Sequence, residues 1–127
     1  MAKEKILIVD DDHDVVEILR SLLSYKGFTV VAVYDGASAL SKVKEEKPDL
    51  VVLDIMMPGM DGYNVCETIK TDPETKNIPV IMLTAKDMFG DVEKALEKKA
   101  DWYIAKPYDS KYLVDKINQF LSKRSKE

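Results

Sequence analysis

A single cysteine, Cys66, leaves no partner for an intrachain disulfide in this chain of 127 residues. That excludes a disulfide-held scaffold and favours a reducing compartment. Cys66 stands among apolar neighbours (Val65, Ile69) with no histidine nearby in sequence, the setting of a core residue rather than a nucleophile. The one histidine, His13, lies in an acidic stretch, where hard oxygen ligands suit a bound cation better than an imidazole does. Long hydrophobic runs are also missing. No segment approaches the ~18 to 20 apolar residues that span a bilayer, and Met1 to Lys5 lead directly into an apolar run of strand length. Neither a membrane segment nor a signal peptide is expected, and a cytoplasmic protein is. Basic excess is absent too: 19 basic against 23 acidic side chains give a net charge of −4, which argues against a nucleic-acid footprint. What remains, 46% hydrophobic and 33% charged residues, is the balance of an ordinary folded domain, long enough for a real core.

Strand-like and helix-like segments alternate. Short apolar, β-branched runs occur at Ile6–Val9, Thr29–Val33, Leu50–Leu53, Val80–Leu83 and Trp102–Ala105. The first, third and fourth are apolar at every position, as in parallel strands covered on both faces. Between them, Val15, Ile18, Leu19, Leu22 and Leu23 share one helical face, with Asp12 or Asp14 as the cap and Lys26-Gly27 as the stop. Ala39, Leu40 and Val43 mark a second helix, ended before Pro48. Tyr63, Val65, Cys66 and Ile69 mark a third, closed before Asp72-Pro73. Val92, Ala95 and Leu96 mark a fourth, and Leu113, Val114, Ile117, Phe120 and Leu121 a fifth. Five strands alternating with five helices predict a doubly wound α/β fold with a five-stranded parallel sheet, order 2-1-3-4-5, flavodoxin-like. We expect one domain over 1–127, with a core from about residue 4 to 122 and a charged tail at 123–127.

In such a sheet, ligands bind beyond the carboxyl ends of the strands. Asp10, Asp11 and Asp12 follow the first strand, Asp54 ends the third, Thr84 follows the fourth and Lys106 the fifth. Each residue has an ordinary use: the acidic run as cap and solvated loop, Asp54 as a loop cap, Lys106 as an exposed lysine before proline. Together they make a rim of carboxylates, one hydroxyl and one ammonium. Carboxylates so close raise one another's pKa unless a cation relieves them, and an oxygen-lined cluster suits Mg²⁺ or Mn²⁺. Asp54 is then a carboxylate nucleophile able to form an acyl phosphate. Lys106 and the cation would neutralise the phosphoryl oxygens, and Thr84 would donate a hydrogen bond.

The strings that carry these residues are Ile8-Val9-Asp10-Asp11, Leu53 to Gly62 (LDIMMPGMDG), Leu83-Thr84-Ala85 and Lys106-Pro107-Tyr108. In that order and spacing they resemble the bacterial response-regulator receiver domain, of which stand-alone CheY-like proteins are the minimal form, over essentially the whole chain. The resemblance implies that Asp54 is the phosphoacceptor, that Asp11 and Asp54 bind Mg²⁺ directly, and that Asp10 binds mainly through water. The Met56 carbonyl adds a ligand, Lys106 holds a phosphoryl oxygen, and the bond to Pro107 is cis. Thr84 moves toward the phosphoryl group, and Tyr103 takes the switch-aromatic position and swings inward with it. Met56 and Lys86 hold the positions that tune phosphoryl lifetime, and neither side chain activates water well. The implied partners are a histidine kinase or phosphotransfer protein, and an output protein on the face of the fourth helix, fifth strand and fifth helix. Dimerisation on activation is left open. Two departures from the family pattern stand out: Lys99 where a Gly is usual, and Trp102 where smaller polar residues are common.

Such a domain is a regulatory switch rather than an enzyme, catalysing only its own phosphorylation and slow dephosphorylation. Three other readings compete. An aspartate-based phosphatase of the haloacid dehalogenase type wants a second Asp two residues after the first, where Met56 stands. A flavodoxin-like FMN binder needs a hydroxyl- and glycine-rich loop where Asp10 to Asp12 stand. A receiver-like docking module would work without phosphorylation and has no need of the full acidic, hydroxyl and ammonium set.

Overall fold

The computed structural model describes residues 4–54, 62–85, 100–106 and 108–125. Five parallel strands, β1 (Lys5–Val9), β2 (Thr29–Val33), β3 (Leu50–Asp54), β4 (Val80–Ala85) and β5 (Trp102–Lys106), form one sheet in the order β2-β1-β3-β4-β5. The described helices are α1 (His13–Tyr25), α2 (Gly36–Glu46), α3 (Gly62–Thr71) and the C-terminal α4 (Ser110–Ser125). The helix expected around Val92, Ala95 and Leu96 lies outside the described residues, as does Lys99. The last turn of α4 takes in Lys123 and Arg124, which the sequence assigned to the tail.

The uninterrupted apolar strands follow from burial on both faces. Successive side chains point to opposite sides of the sheet. Leu7, Val9, Val51, Leu53, Val80 and Met82 pack with Ala39, Val43, Tyr63, Val65, Cys66 and Ile69 of α2 and α3. Ile6, Ile8, Leu50, Val52, Ile81 and Leu83 pack with Val16, Leu19 and Leu23 of α1 and Leu113, Ile117 and Leu121 of α4. Cys66 is fully buried, and burial pushes its thiol up to about 12. It is a core residue.

Local signals set the helix ends. The Asp12 carboxylate accepts from the Asp14 and Val15 amides and caps α1, while Gly27 (φ 98°) takes the left-handed turn that ends it. Asp35, which the sequence reading did not single out, caps α2 by accepting from the Ser38 amide and hydroxyl; those bonds hold its carboxyl below the usual range. Helix α2 stops before Pro48, as expected, with Lys47 in the left-handed region (φ 48°).

At the amino edge of the sheet, far from the candidate site, Asp101 ties three elements together. Its Oδ2 accepts from the Val80 amide (2.8 Å) and the Lys70 ammonium (2.9 Å), and Lys70 also donates to the Ile78 carbonyl (2.9 Å). The Lys70 side chain is only 11% exposed, so losing the carboxylate leaves the Val80 amide without this acceptor and the Lys70 ammonium without its counter-charge. Asp101→Ala is expected to cost about 2 kcal/mol, which chemical denaturation would measure. A variant as stable as the parent would mean that water replaces the carboxylate.

Candidate functional site

The acidic run after β1 divides by chain path. The Asp10 amide donates to Val33 O (3.2 Å), extending the β1–β2 ladder by one residue, and this carries the Asp10 side chain inward to 1% exposure. Asp12 turns outward to cap α1, which settles which of Asp12 and Asp14 does so. Asp11 between them is exposed.

Asp54 closes β3, whose register beside β1 (Val9 against Leu53) sets the two strand ends level. Asp54 is 5% exposed. Asp10, Asp11 and Asp54 each offer a carboxylate oxygen, and the three lie within 4.8 Å of one another. Residues 44 positions apart thus share one small volume.

Lys106 reaches the cluster from the end of β5. Its Nζ donates to Asp54 Oδ2 at 2.8 Å. Burial alone would lower the ammonium's pKa; the hydrogen bond and charge of Asp54, with help from Asp10, outweigh burial and leave it raised. On β4, Thr84 pairs with Ala105 and Ala85 with Lys106, so the backbone carries Thr84 to the same rim, one position past the residue paired with Asp54. The partly buried Tyr103 packs against the α2–α3 side of the core.

The cluster is short of positive charge. Burial pushes Asp10 up to about 7; the Asp12 amide bond opposes this, the nearby Asp54 carboxylate adds to it, and the Lys106 charge opposes it in turn. Asp10 Oδ1 accepts from the Asp12 amide (3.0 Å), but its buried Oδ2 has no hydrogen-bond partner among the described residues. With both carboxylates ionised, neither has a proton to offer the other. Either a shared proton or a cation satisfies that oxygen. A cluster of hard oxygens around an orphaned buried carboxylate oxygen fits a hard divalent cation.

His13 is not in the cluster: its ring stacks on Tyr34, centroids 3.9 Å apart and 6° from parallel. Tyr34 carried no signal in the sequence. Met56, Lys86 and Pro107 lie outside the described residues, and so does the Pro107 peptide bond. Among the described residues no helix is long and apolar enough to cross a membrane.

The profile of the response regulator receiver domain matches residues 6–118. The chain belongs to this family. Receiver domains are signalling domains that act as phosphoacceptor switches in two-component systems, and here the acidic cluster sits at the carboxyl rim of the sheet. A DNA-binding response regulator, MtrA of Mycolicibacterium paratuberculosis, is 42% identical over 125 residues, which cover 98% of this receiver and 54% of MtrA. The chain spans about half the length of the curated relatives it matches. Among solved structures, the CheY-like receiver domain protein of Methanospirillum hungatei JF-1 superposes with a TM-score of 0.91 at 28% identity, covering 98% of both chains. The receiver domain of the sensor histidine kinase PA1611 from Pseudomonas aeruginosa PAO1 superposes at 0.87 with 27% identity, covering 95% of this chain and 99% of that one. That structure has a magnesium ion coordinated in its active-site cleft.

Proposed function

We propose that this receiver takes a phosphoryl group on Asp54 with Mg²⁺ bound beside it. The observation that carries the reading is the meeting of three carboxylate oxygens within 4.8 Å with the Lys106 ammonium 2.8 Å from Asp54. Asp10, Asp11 and Asp54 would hold the ion, with the Met56 carbonyl as a further ligand. When bound, Mg²⁺ supplies positive charge against the phosphoryl oxygens.

In the transfer, an Asp54 carboxylate oxygen bonds to phosphorus while the donor's bond to phosphorus breaks. The leaving group is imidazole from a phosphohistidine, or acetate from acetyl phosphate. Asp54 needs no general base, because the attacking group is a carboxylate rather than a hydroxyl. Lys106 then exchanges part of its contact with Asp54 for a phosphoryl oxygen, and Thr84 donates to another. The donor is a histidine kinase or phosphotransfer protein in a cytoplasmic setting. Pulling Thr84 toward phosphorus lets Tyr103 turn inward, shifting the population of the face that includes β5 and α4, where an output partner would bind. In this reading residues 4 to 122 form one receiver unit, its charge balance suits protein partners, and dimerisation on activation is one route to output.

Mass spectrometry after acetyl phosphate and Mg²⁺, with and without chelator, is the direct test. One phosphoryl group on Asp54, dependent on the metal, is expected. A protein that gains no phosphorus with donor and metal present refutes the assignment.

The lifetime of the acyl phosphate is expected to be minutes or longer, since a thioether at position 56 and an ammonium at position 86 do little to orient attacking water. Following loss of the phosphoprotein after donor removal measures it. Decay within seconds, unaltered by Met56→Ala and Lys86→Ala, would contradict this.

A further inference from the structure

The indole of Trp102, at the start of edge strand β5, is held from one side by a single face of α4. Its N–H donates to the Tyr112 hydroxyl at 3.2 Å. The Lys116 ammonium sits 4.2 Å from the Trp102 ring centroid and 5.7 Å from that of Tyr112, a cation over two π faces. The Phe120 ring follows at 6.4 Å, tilted by 49°. Residues 112, 116 and 120 are spaced one helical turn apart, so α4 presents them as one row to the strand.

On its other side the indole meets Tyr103, with ring centroids 6.1 Å apart and planes 19° from parallel. Neighbouring residues of a strand point to opposite faces, and these two do: Trp102 packs with the α1–α4 core and Tyr103 with the α2–α3 core. Such rings approach each other only by curling round an open edge, and β5 is that edge. A cavity of about 520 Å³ lined by Trp102, Tyr103, Tyr108 and Tyr112 runs along the same edge.

We propose that the Trp102–Tyr112–Lys116 clamp is a brake on the switch: it holds Trp102 against Tyr103 in the unphosphorylated domain and opposes the inward turn of Tyr103. The proposal rests on the reading of Tyr103 as the switch aromatic and of Asp54 as the phosphoacceptor. The ring contact belongs to the resting state and breaks when Tyr103 turns inward. A contact made in only one of two states shifts their balance toward that state. By reciprocity, whatever loosens the clamp tightens binding of the phosphoryl group or its mimic.

Trp102 is the only tryptophan, so its emission reports the clamp directly. Titration with beryllium fluoride and Mg²⁺, a phosphoryl mimic, is expected to change Trp102 emission. Lys116→Ala and Tyr112→Phe should each lower the beryllium fluoride concentration at half-saturation by about threefold. Lys116→Arg, which keeps a cation over the ring, should return it to the wild-type value, and in a Tyr103→Ala background Lys116→Ala should have no effect. A purely structural clamp would lower the melting temperature of Lys116→Ala without moving the half-saturation point, and that result overturns the proposal. So does unchanged Trp102 emission in protein that mass spectrometry shows to be phosphorylated on Asp54. Failure of Asp54 to take up phosphorus at all refutes instead the reading on which the brake rests.

Discussion

Asp54→Asn is expected to abolish phosphoryl uptake from acetyl phosphate while leaving the fold intact, because an amide is a far weaker nucleophile toward phosphorus than a carboxylate. Asn keeps the shape of the side chain and still accepts the Lys106 hydrogen bond made at 2.8 Å. It also relieves the repulsion of Asp10, so the variant should melt no lower than the parent. Lys106→Ala should slow uptake by roughly 100-fold, the usual consequence of losing one group that neutralises charge at a transferring centre. Loss of the ammonium also leaves two buried carboxylates facing each other, so this variant, unlike Asp54→Asn, should fall in stability without the metal. Quantifying phosphoprotein over time, beside thermal melts of both variants, checks the pair. Uptake on Asp54→Asn at the wild-type rate would move the acceptor elsewhere.

Asp10→Asn is expected to stabilise the metal-free protein, although a buried, hydrogen-bonded residue is being changed. The Asp10 carboxyl titrates at about 7 in the folded protein against 3.8 ordinarily, for burial first, with the Asp54 charge adding to it. The sign follows from that direction. A carboxyl whose pKa is raised by folding binds protons more tightly in the folded state, so its favourable contribution is complete below the ordinary value and is lost as pH rises through about 7. Fully expressed, the raised value corresponds to on the order of 4 kcal/mol at neutral pH. Because part of that rise comes from the neighbouring Asp54 charge and part is offset by the Asp12 amide and Lys106, a gain of about 2 kcal/mol is the reasonable expectation for Asp10→Asn. Metal-free wild type should therefore lose stability between about pH 4 and 7 on this account, the span between the two pKa values, and Asp10→Asn should flatten the profile. Asp35 and Asp72 are pulled down instead, by backbone amides first, and their contributions are lost only as pH falls below the ordinary carboxylate range. Saturating Mg²⁺ should restore wild type at pH 8 and help Asp10→Asn less. Urea titrations across this range, with and without metal, give the answer. An Asp10→Asn protein less stable than the parent at pH 8 without metal would mean that Asp10 is already well compensated in the resting domain.

Much of this arrangement was legible before any coordinates, and for a physical reason. A strand buried on both faces has no choice but to be apolar at every position, so Ile6–Val9, Leu50–Leu53 and Val80–Leu83 announce themselves. Strands of that kind joined by amphipathic helices leave few topologies, and the topology carries Asp10, Asp54, Thr84 and Lys106 to one rim. What sequence could not separate were like residues in unlike places. Asp10, Asp11 and Asp12 are chemically identical, and only the path of the chain makes one buried, one exposed and the third a helix cap. His13 offered a ligand's chemistry but spends a ring face on Tyr34, a contact between separate elements that no local pattern encodes. Trp102 could be read equally as packing or as contact surface; its partners Tyr112, Lys116 and Phe120 become visible only when α4 lies against β5.

The 2.8 Å bond between Lys106 and Asp54 joins groups 52 residues apart, contributed by strands with β4 between them. A fragment that ends before β5 lacks this contact, and under the proposed reading an emerging chain would take up phosphorus at the full rate only once its last strand docks. Competence to carry phosphorus should appear and vanish together with the intact sheet, making it as sharp a measure of completed folding as any spectroscopic signal.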